Sequence, residues 1–332
     1  MTKNSYIITG ATGSFGNAFV DRLINSKKKV SRLIIFSRDE LKQSLMAAKY
    51  PIKKYPYVRF FLGDVRDYDR LLFASEGIEN IVHAAALKQI PSTEYNPFEA
   101  VQTNIIGSQN VIKSALKNNV RRVVALSTDK ACAPINLYGA TKLCADKLFI
   151  SANNIKGNKD VRFSVVRYGN VFGSRGSVYT VFKNHNKMKA FPITDNNMTR
   201  FNISLKEGVD YVIWAIEKAF GGEIIVPKLK SFKIVDLAKA LDPKKQQKVI
   251  GVRAGEKIHE QMISRSDSYH TVEMLNFYAI LNNENKKLTS YYKNKFRAKN
   301  VPEGFEYSSD TNSKFMNLKD LKILIKNQTK VS

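Results

Sequence analysis

The run Ser127-Thr128-Asp129-Lys130 is followed eight residues later by Tyr138-Gly139-Ala140-Thr141-Lys142. An acid, a phenol and two amines thus fall within fifteen residues. Tyr138 and Lys142 are four apart, so a helix places them on one face. An ammonium beside a phenol favours the phenolate, which can act as a base near neutral pH. That pair suits removal of a proton from a sugar hydroxyl while a hydride leaves the same carbon. Asp129 and Lys130 form a second acid/base pair, for which a simple alcohol dehydrogenase has no use. Many helices contain a bare Tyr-x-x-x-Lys by chance, so the weight falls on the elements that must position this one.

Those elements begin at the N-terminus. Residues 5–9 read as a buried strand, followed by Gly10-Ala-Thr12-Gly13-Ser14-Phe15-Gly16 and a helical run over 17–25. Glycines between a strand and a helix allow a tight turn and close approach of backbone to a pyrophosphate at the helix start. The alternative is an ordinary glycine turn. The second strand, 32–36, ends at Ser37, Arg38 and Asp39, with Lys42 one turn on. A cofactor without a 2′-phosphate calls for Asp or Glu about twenty residues past the glycines. Arg38 in that place suits a 2′-phosphate, which favours NADP over NAD. Asp39 and Glu40 pull the other way, and Arg38 as a plain solvated charge is the competing reading. Asp64, beside Val65 after the third strand, is placed to accept from the adenine amino group. The small run Ala84, Ala85, Ala86 lets backbone lie against a cofactor, and His83 before it reads as a packed strand-end residue. Each motif sits at a strand C-terminus, where open α/β sheets bind ligands.

Of the 332 residues, 43% are hydrophobic, enough for a sizeable core in one or two domains. No apolar run reaches the length of a membrane span, and the first strand starts too early for a signal peptide. The two cysteines, Cys132 and Cys144, have neither CxxC nor metal spacing, which points to a reducing cytoplasm and no metal. Cys132 beside the reactive stretch reads as a small packed side chain. The net charge of +25 can steer anionic ligands such as NADP and a nucleotide sugar. It is also compatible with weak contact with an anionic membrane surface. The lysines are dispersed, and no basic motif interleaved with aromatics reads as a nucleic-acid module.

Strands and helices alternate through residue 170, with helices near 38–49, 98–118 and 138–153, which makes a doubly wound parallel sheet. Residues 173–200 read as loop and short helix, 204–219 as an amphipathic helix, and 222–227 as a short strand. A small mixed α/β lobe follows from 230, with the Lys-rich stretch 282–300 as an exposed loop. The expected organisation is an NADP-binding Rossmann domain over 1–172, with 201–222 packing back onto it. Residues 173–200 and 223–332 then form a nucleotide-sugar-binding lobe.

The runs TGATGSFG, FSRDE, GDVRD, HAAALK, STDKACAPINLYGATK, RYGNVFGSRGSV, PITDNNMTRF and GVRAGEKIHE together resemble the extended short-chain dehydrogenase/reductases. Within them the chain is similar to the inverting UDP-N-acetylglucosamine 4,6-dehydratases that open pseudaminic-acid and some capsule pathways, over roughly residues 3–310. The most specific element is STDKA followed by NLYGATK. The resemblance implies that Tyr138 takes the 4-hydroxyl proton while C4 gives hydride to NADP. It also implies that Lys142 holds the phenolate and the nicotinamide ribose, and that Thr128 bonds near O4. Lys130 then removes the C5 proton, Asp129 protonates the departing 6-hydroxyl, hydride returns to C6 and C5 is inverted. A lysine base must be neutral, so its pKa must be lowered. The family forms dimers or larger rings, so a homo-oligomer (dimer or hexamer) is expected.

Substrate contacts implied by the resemblance are Lys88, Thr103, Asn104, Asn170, the segment Val178-Tyr179-Thr180-Val181-Phe182, Arg200, Arg253 and Glu256. Arg200 and Arg253 suit a pyrophosphate. Asn104 as a helix-capping group and Glu256 as half of a surface ion pair are the plainer alternatives. Three departures lie near the expected sugar pocket: Asn197 and Asn202 where relatives carry Arg and Trp, Tyr179-Thr180 within a Val-Val-Pro-Phe-Phe segment, and Gln89 in place of His. They leave the redox core intact and the exact sugar open. A UDP-sugar epimerase, a dehydratase of another sugar and a non-catalytic NADP-binding scaffold are the competing functions. Epimerisation at C4 needs neither a C5 base nor an acid for water loss.

Overall fold

Strands that are apolar along their whole length, rather than on alternate residues, must be covered on both faces. Ser5–Thr9 (β1) and Asn80–His83 (β4) are buried at every residue, and Arg32–Ser37 (β2) and Arg162–Tyr168 (β6) at all but the first. With Val58–Leu62 (β3) and Arg122–Thr128 (β5), they form a parallel sheet ordered β3-β2-β1-β4-β5-β6. The computed structural model describes residues 4–174, 176–183, 188–282 and 285–329. Arg175, within the RYGNVFGSRGSV run, lies outside them. The sheet is mixed at its far end. Glu223–Pro227 pairs parallel to β6, and Phe277–Leu281 then pairs antiparallel to Glu223–Pro227. Thr271–Glu273 and Lys299–Asn300 complete the ten strands. Strand order reverses at β1, which pairs with β2 on one side and β4 on the other. The crevice at the strand C-termini there is the place such sheets bind ligands.

Gly10 shows why the first turn needs glycine. Its φ is +67°, and a Cβ there would sit 2.8 Å from the Ala85 nitrogen. At Gly16 a Cβ would lie 2.3 Å from the Ala11 carbonyl oxygen, so glycine also seats the first helix, Ser14–Ile24, against the turn. The single helix expected over 98–118 is instead Pro97–Val101, a π-helical turn at Gln102–Ile106, and Gly107–Lys117. The π turn buries Thr103 and Asn104; such turns recur at functional sites.

The helix Leu205–Lys218, started by a Ser204–Glu207 capping box, buries Val209, Val212 and Ala215 in the main core beside the first helix. A second core gathers Phe172, Phe182, Phe191, Phe232, Leu237 and Leu321. The expected boundary at 223 needs correction, because Glu223–Pro227 and the strands over 271–281 extend the main sheet. The apolar runs IIV and FYAIL find their partners across the sheet, not in the smaller lobe.

The stretch 282–300 is also corrected. It contains the helix Lys286–Phe296, capped by Asn285, and an edge strand. Leu288 and Tyr292, one turn apart, are fully buried, while the flanking Lys286, Lys287, Lys293 and Lys295 are exposed. Leu288→Ala should therefore lower stability by about 2–5 kcal/mol, read by urea unfolding, whereas a loop leucine would cost within about 0.5 kcal/mol.

Candidate active site

The C-termini of β1 to β6 open into a cleft of about 900 Å³. Every residue expected at the cofactor lines it, from the Gly10–Gly16 turn through Ser37, Arg38, Asp39, Lys42, Asp64, Val65 and Ala84–Ala86 to Tyr138 and Lys142. The first helix begins there with neither a side-chain cap nor an acidic residue in its first turn. Its amide ends and positive dipole are thus open to an anion. The Thr12 and Ser37 hydroxyls hydrogen-bond at 2.8 Å across the turn. Asp39 accepts from the Lys42 backbone N–H at 2.9 Å and pairs with the Lys42 ammonium, so its carboxylate is committed to its own helix. Arg38 stays half exposed at the mouth, 3.5 Å from Asp64, whose carboxyl is held below the usual range chiefly by Arg66, against the opposing effect of burial. Among the described residues no His, Cys, Asp and Glu cluster could hold a metal, and no helix is long and apolar enough to cross a membrane.

The reactive stretch follows β5 directly. Thr128 caps a short 3₁₀ turn over Asp129–Ala131, and Asn136 caps the helix Leu137–Ser151 by accepting from the Gly139 N–H at 2.8 Å. That helix carries Tyr138 and Lys142 into the cleft. Gly139 lets the helix lie on the Asp129–Ala131 turn, since a Cβ there would sit 2.2 Å from the Lys130 carbonyl oxygen. Thr128 donates to Asp129 Oδ1 at 3.0 Å, and Lys130 Nζ lies 3.1 Å from the same oxygen.

A residue absent from the expected set completes the cluster. Glu260 Oε1 lies 2.9 Å from Lys130 Nζ and 3.6 Å from Arg200 Nε. Lys130 is thus clasped between two buried carboxylates. Its pKa lies above the ordinary lysine range, because Asp129 and Glu260 outweigh the opposing effect of burial. The shift is opposite to the lowering that a lysine base needs. Burial pushes the Asp129 carboxyl up, whereas Lys130 and Arg200 hold Glu260 below its usual range despite burial.

The Tyr138 and Lys142 pair also differs from the expectation. Burial pushes Tyr138 up to about 12, opposed by the Lys130 charge and a hydrogen bond with Thr128. Burial lowers Lys142, which only Asp146 supports. The Lys130 charge opposes the rise at Tyr138, while burial lowers the Lys142 ammonium.

Of the expected sugar and phosphate contacts, Lys88, Thr103, Asn170, Val178, Val181, Phe182, Arg200, Arg253 and Glu256 line the cleft. Buried oxygens of Thr103, Asn170 and Glu256 have no hydrogen-bond partner among the described residues. Three expected contacts are corrected. Asn104 is spent holding the Leu87 N–H and carbonyl, at 2.8 and 2.9 Å, to the Thr141 hydroxyl. Tyr179 turns into the second core against Phe172, and the Thr180 hydroxyl bonds to the Ser177 carbonyl. The helix Val178–Lys183 presents only Val178, Val181 and Phe182 to the cleft, the spacing of one helix face. Arg200 lines the cleft but gives its guanidinium to the carbonyls of Thr199, Lys257 and Ile258, which leaves the exposed Arg253 as the freer phosphate partner. Of the departures, Gln89 lines the cleft, whereas Asn197 sits in an exposed turn.

Comparison with known proteins agrees with this geometry. The family described as "Polysaccharide biosynthesis protein" matches residues 6–282. A UDP-N-acetylglucosamine 4,6-dehydratase (inverting) from Campylobacter jejuni is 50% identical over 327 residues, 96% of each chain. A UDP-glucose 4-epimerase from Rickettsia bellii is 39% identical, covering 97% of this chain and 95% of its own. The solved structure of Pen from Bacillus thuringiensis superposes with a TM-score of 0.89 at 34% identity, over 98% of both chains.

Beneath the cleft, His83 is fully buried between the Thr9 and Ser108 hydroxyls, and burial lowers its pKa to about 3. The unfolded chain binds this proton below about pH 6.5, and the folded chain does not. Stability present above that pH is therefore lost as pH falls, by about 2 kcal/mol between pH 7 and 5. Glu223, pushed up to about 7 by burial, acts with the opposite sign. The His83 effect is thus the difference in pH dependence between the parent and His83→Asn, measured by denaturant unfolding at both pH values; parallel curves would disprove it.

Proposed function

The chain belongs to the polysaccharide biosynthesis protein family, and on that footing we propose that it is an NADP-dependent UDP-N-acetylglucosamine 4,6-dehydratase that inverts C5. The carrying observation is the buried Asp129–Lys130 pair set beside Tyr138 in a cleft that begins at an uncapped helix terminus.

The residues fit a dinucleotide. Gly10 to Gly16 and the helix start would hold the pyrophosphate, Asp64 the adenine end, and Arg38 a 2′-phosphate. The engagement of Asp39 with Lys42 supports NADP, because the carboxylate that would accept a free ribose hydroxyl is already neutralised. A nicotinamide held there supplies hydride acceptance from C4 and hydride return to C6.

The protein's own groups move the protons. Tyr138 takes the proton of the 4-hydroxyl, with Thr128 in contact. The resulting 4-ketone acidifies C5–H. One proton passing from Lys130 to Asp129, across 3.1 Å, gives a neutral amine and a neutral acid together. Lys130 then takes the C5 proton, the C5 electron pair forms the C5–C6 double bond, and the 6-hydroxyl leaves as water with the Asp129 proton. With the hydride returned to C6, C5 takes a proton from solvent on the face opposite Lys130, which inverts it, Tyr138 gives its proton back to solvent, and the pair stands again as ammonium and carboxylate. Arg253 would grip the pyrophosphate, and the unpartnered oxygens of Thr103 and Asn170 would meet the sugar or nucleotide.

The 4-epimerase name of the Rickettsia relative supports a second reading, in which Asp129 and Lys130 have no task. Mass spectrometry separates the two: incubation with UDP-N-acetylglucosamine should yield loss of one water, whereas an unchanged mass would point to epimerisation or inactivity. No reduced cofactor should accumulate, since the hydride is returned.

In deuterated buffer, Tyr138→Phe should form no ketone and exchange no C5 hydrogen. Lys130→Met should still reduce the cofactor in a single turnover, though more slowly because Tyr138 loses that neighbouring charge, but incorporate no deuterium at C5. Losing a positioned base costs about a hundredfold to ten-thousandfold, so exchange at the parent rate would remove Lys130 from that role.

Arg38→Ala should weaken NADP by about 1.5–3 kcal/mol and NAD far less, measured by titration calorimetry. Equal losses would show that Arg38 does not read the 2′-phosphate.

A further inference from the structure

Glu260 belongs to the segment after residue 255, about 130 residues from Lys130 in the chain. Its backbone is fixed from both sides: its N–H donates to the Ser309 hydroxyl at 2.9 Å, and its carbonyl accepts from the Ser309 N–H at 2.8 Å. Its side chain is 2% exposed, and its second oxygen, Oε2, has no hydrogen-bond partner among the described residues. Arg200, itself anchored on three carbonyls, stands behind it. The same segment grips the catalytic turn twice more. Lys257 Nζ donates to the Cys132 carbonyl at 2.7 Å, and Asn136 Nδ2 donates to the Gly255 carbonyl at 2.7 Å.

We propose that Glu260 is a positioning residue for the C5 proton transfer, holding the Lys130 amine at a fixed angle and stabilising the ammonium that forms when it takes the proton; this rests on the dehydratase reading. With Asp129 and Glu260 each engaging Lys130 Nζ, the remaining direction of the nitrogen is set by geometry rather than by side-chain rotation. The division of labour between the carboxylates follows from their surroundings. Asp129 faces Lys130, Thr128 and Glu260 under heavy burial, and takes the shuttling proton. Glu260 faces Lys130, Arg200 and Lys257, and stays ionised. In the transfer the C5–H bond breaks, the N–H bond forms, and the new positive charge appears beside Glu260.

The test compares Glu260→Gln and Glu260→Asp with the parent over a pH series, using UDP-N-acetylglucosamine, mass detection of water loss and deuterium incorporation at C5. Glu260→Gln should lower kcat about a hundredfold at the alkaline plateau, the scale of an ångström-sized misplacement, with KM little changed. It should also move the acid limb of the profile about 1–3 pH units lower, because Asp129, which must be ionised to receive the Lys130 proton, has lost the Glu260 charge that raises its pKa. Glu260→Asp keeps the charge and should leave the limb in place with a smaller loss of kcat. A residue that only supports the fold would lower activity without moving the limb. Cofactor reduction in a single turnover should survive in both variants, which shows that they are folded and oxidise C4. An unmoved limb, or an unchanged plateau in Glu260→Gln, overturns the proposal while water loss by the parent leaves the dehydratase reading standing. If the parent removes no water, that reading falls and the role of Glu260 falls with it.

Discussion

The Lys130 ammonium is the charge around which the site is built. Taking an ion out of water costs several kcal/mol even after relaxation, so this lysine tolerates its place only with anions at hand. Asp129 supplies one from its own turn, and Glu260 supplies the other from a segment distant in the sequence. Glu260 then needs a cation of its own, which Arg200 provides, and Arg200 needs acceptors, which the carbonyls of Thr199, Lys257 and Ile258 provide. Each charge is settled by the next. The chain of compensation runs from the end of β5 through the segment 257–260 to the strand Thr199–Ile203. The smaller lobe is thus held over the sheet by the same groups that face the cleft.

This arrangement explains what could be read in the sequence. The nucleotide half was legible because its signals are local: strand, glycine turn and helix lie within twenty residues, and the structure brings all of them to one crevice. The placing of the candidate reactive stretch was legible for the same reason, with Thr128, Asp129 and Lys130 at one turn and Tyr138 and Lys142 on the next helix. Glu260 ends the run GVRAGEKIHE, but nothing in its spacing ties it to Lys130. The antiparallel pairing of Gln261–Ile263 with Tyr307–Ser308 and the hydrogen bonds of Lys257 and Gly255 to the turn carry it to Lys130. Asn104 misled for the opposite reason, since a polar residue beside the site was spent on backbone. In the stretch 282–300 the lysines hid a two-residue apolar stripe, Leu288 and Tyr292, too short for periodicity to announce.

Electrostatics was the least legible layer. A lysine four residues from a tyrosine suggests a phenolate stabilised by its neighbour, but that inference assumes that the lysine is charged. Burial opposes the charge at Lys142, and only Asp146, one turn along the same helix and already bonded to Ser127 and Arg167, supports it. A cation that acts on Tyr138 comes from the other pair. Spacing gives proximity along a helix; it does not give the dielectric surroundings that decide which neighbour matters.

The two pairs are consequently one system. Thr128 touches both, by its hydrogen bond to Asp129 Oδ1 and by its contact with Tyr138. In the proposed reaction this coupling has a direction. While Lys130 is an ammonium, its charge favours loss of the Tyr138 proton, the state needed when Tyr138 must accept one from the 4-hydroxyl. Once the Lys130 proton has passed to Asp129, that charge is gone, and Tyr138 holds its newly acquired proton more firmly. The same transfer that arms the second pair thereby disfavours reversal of the first step. A site with an independent base for C5 would lack this ordering, which requires the charge of the second pair's lysine to act on the phenol of the first.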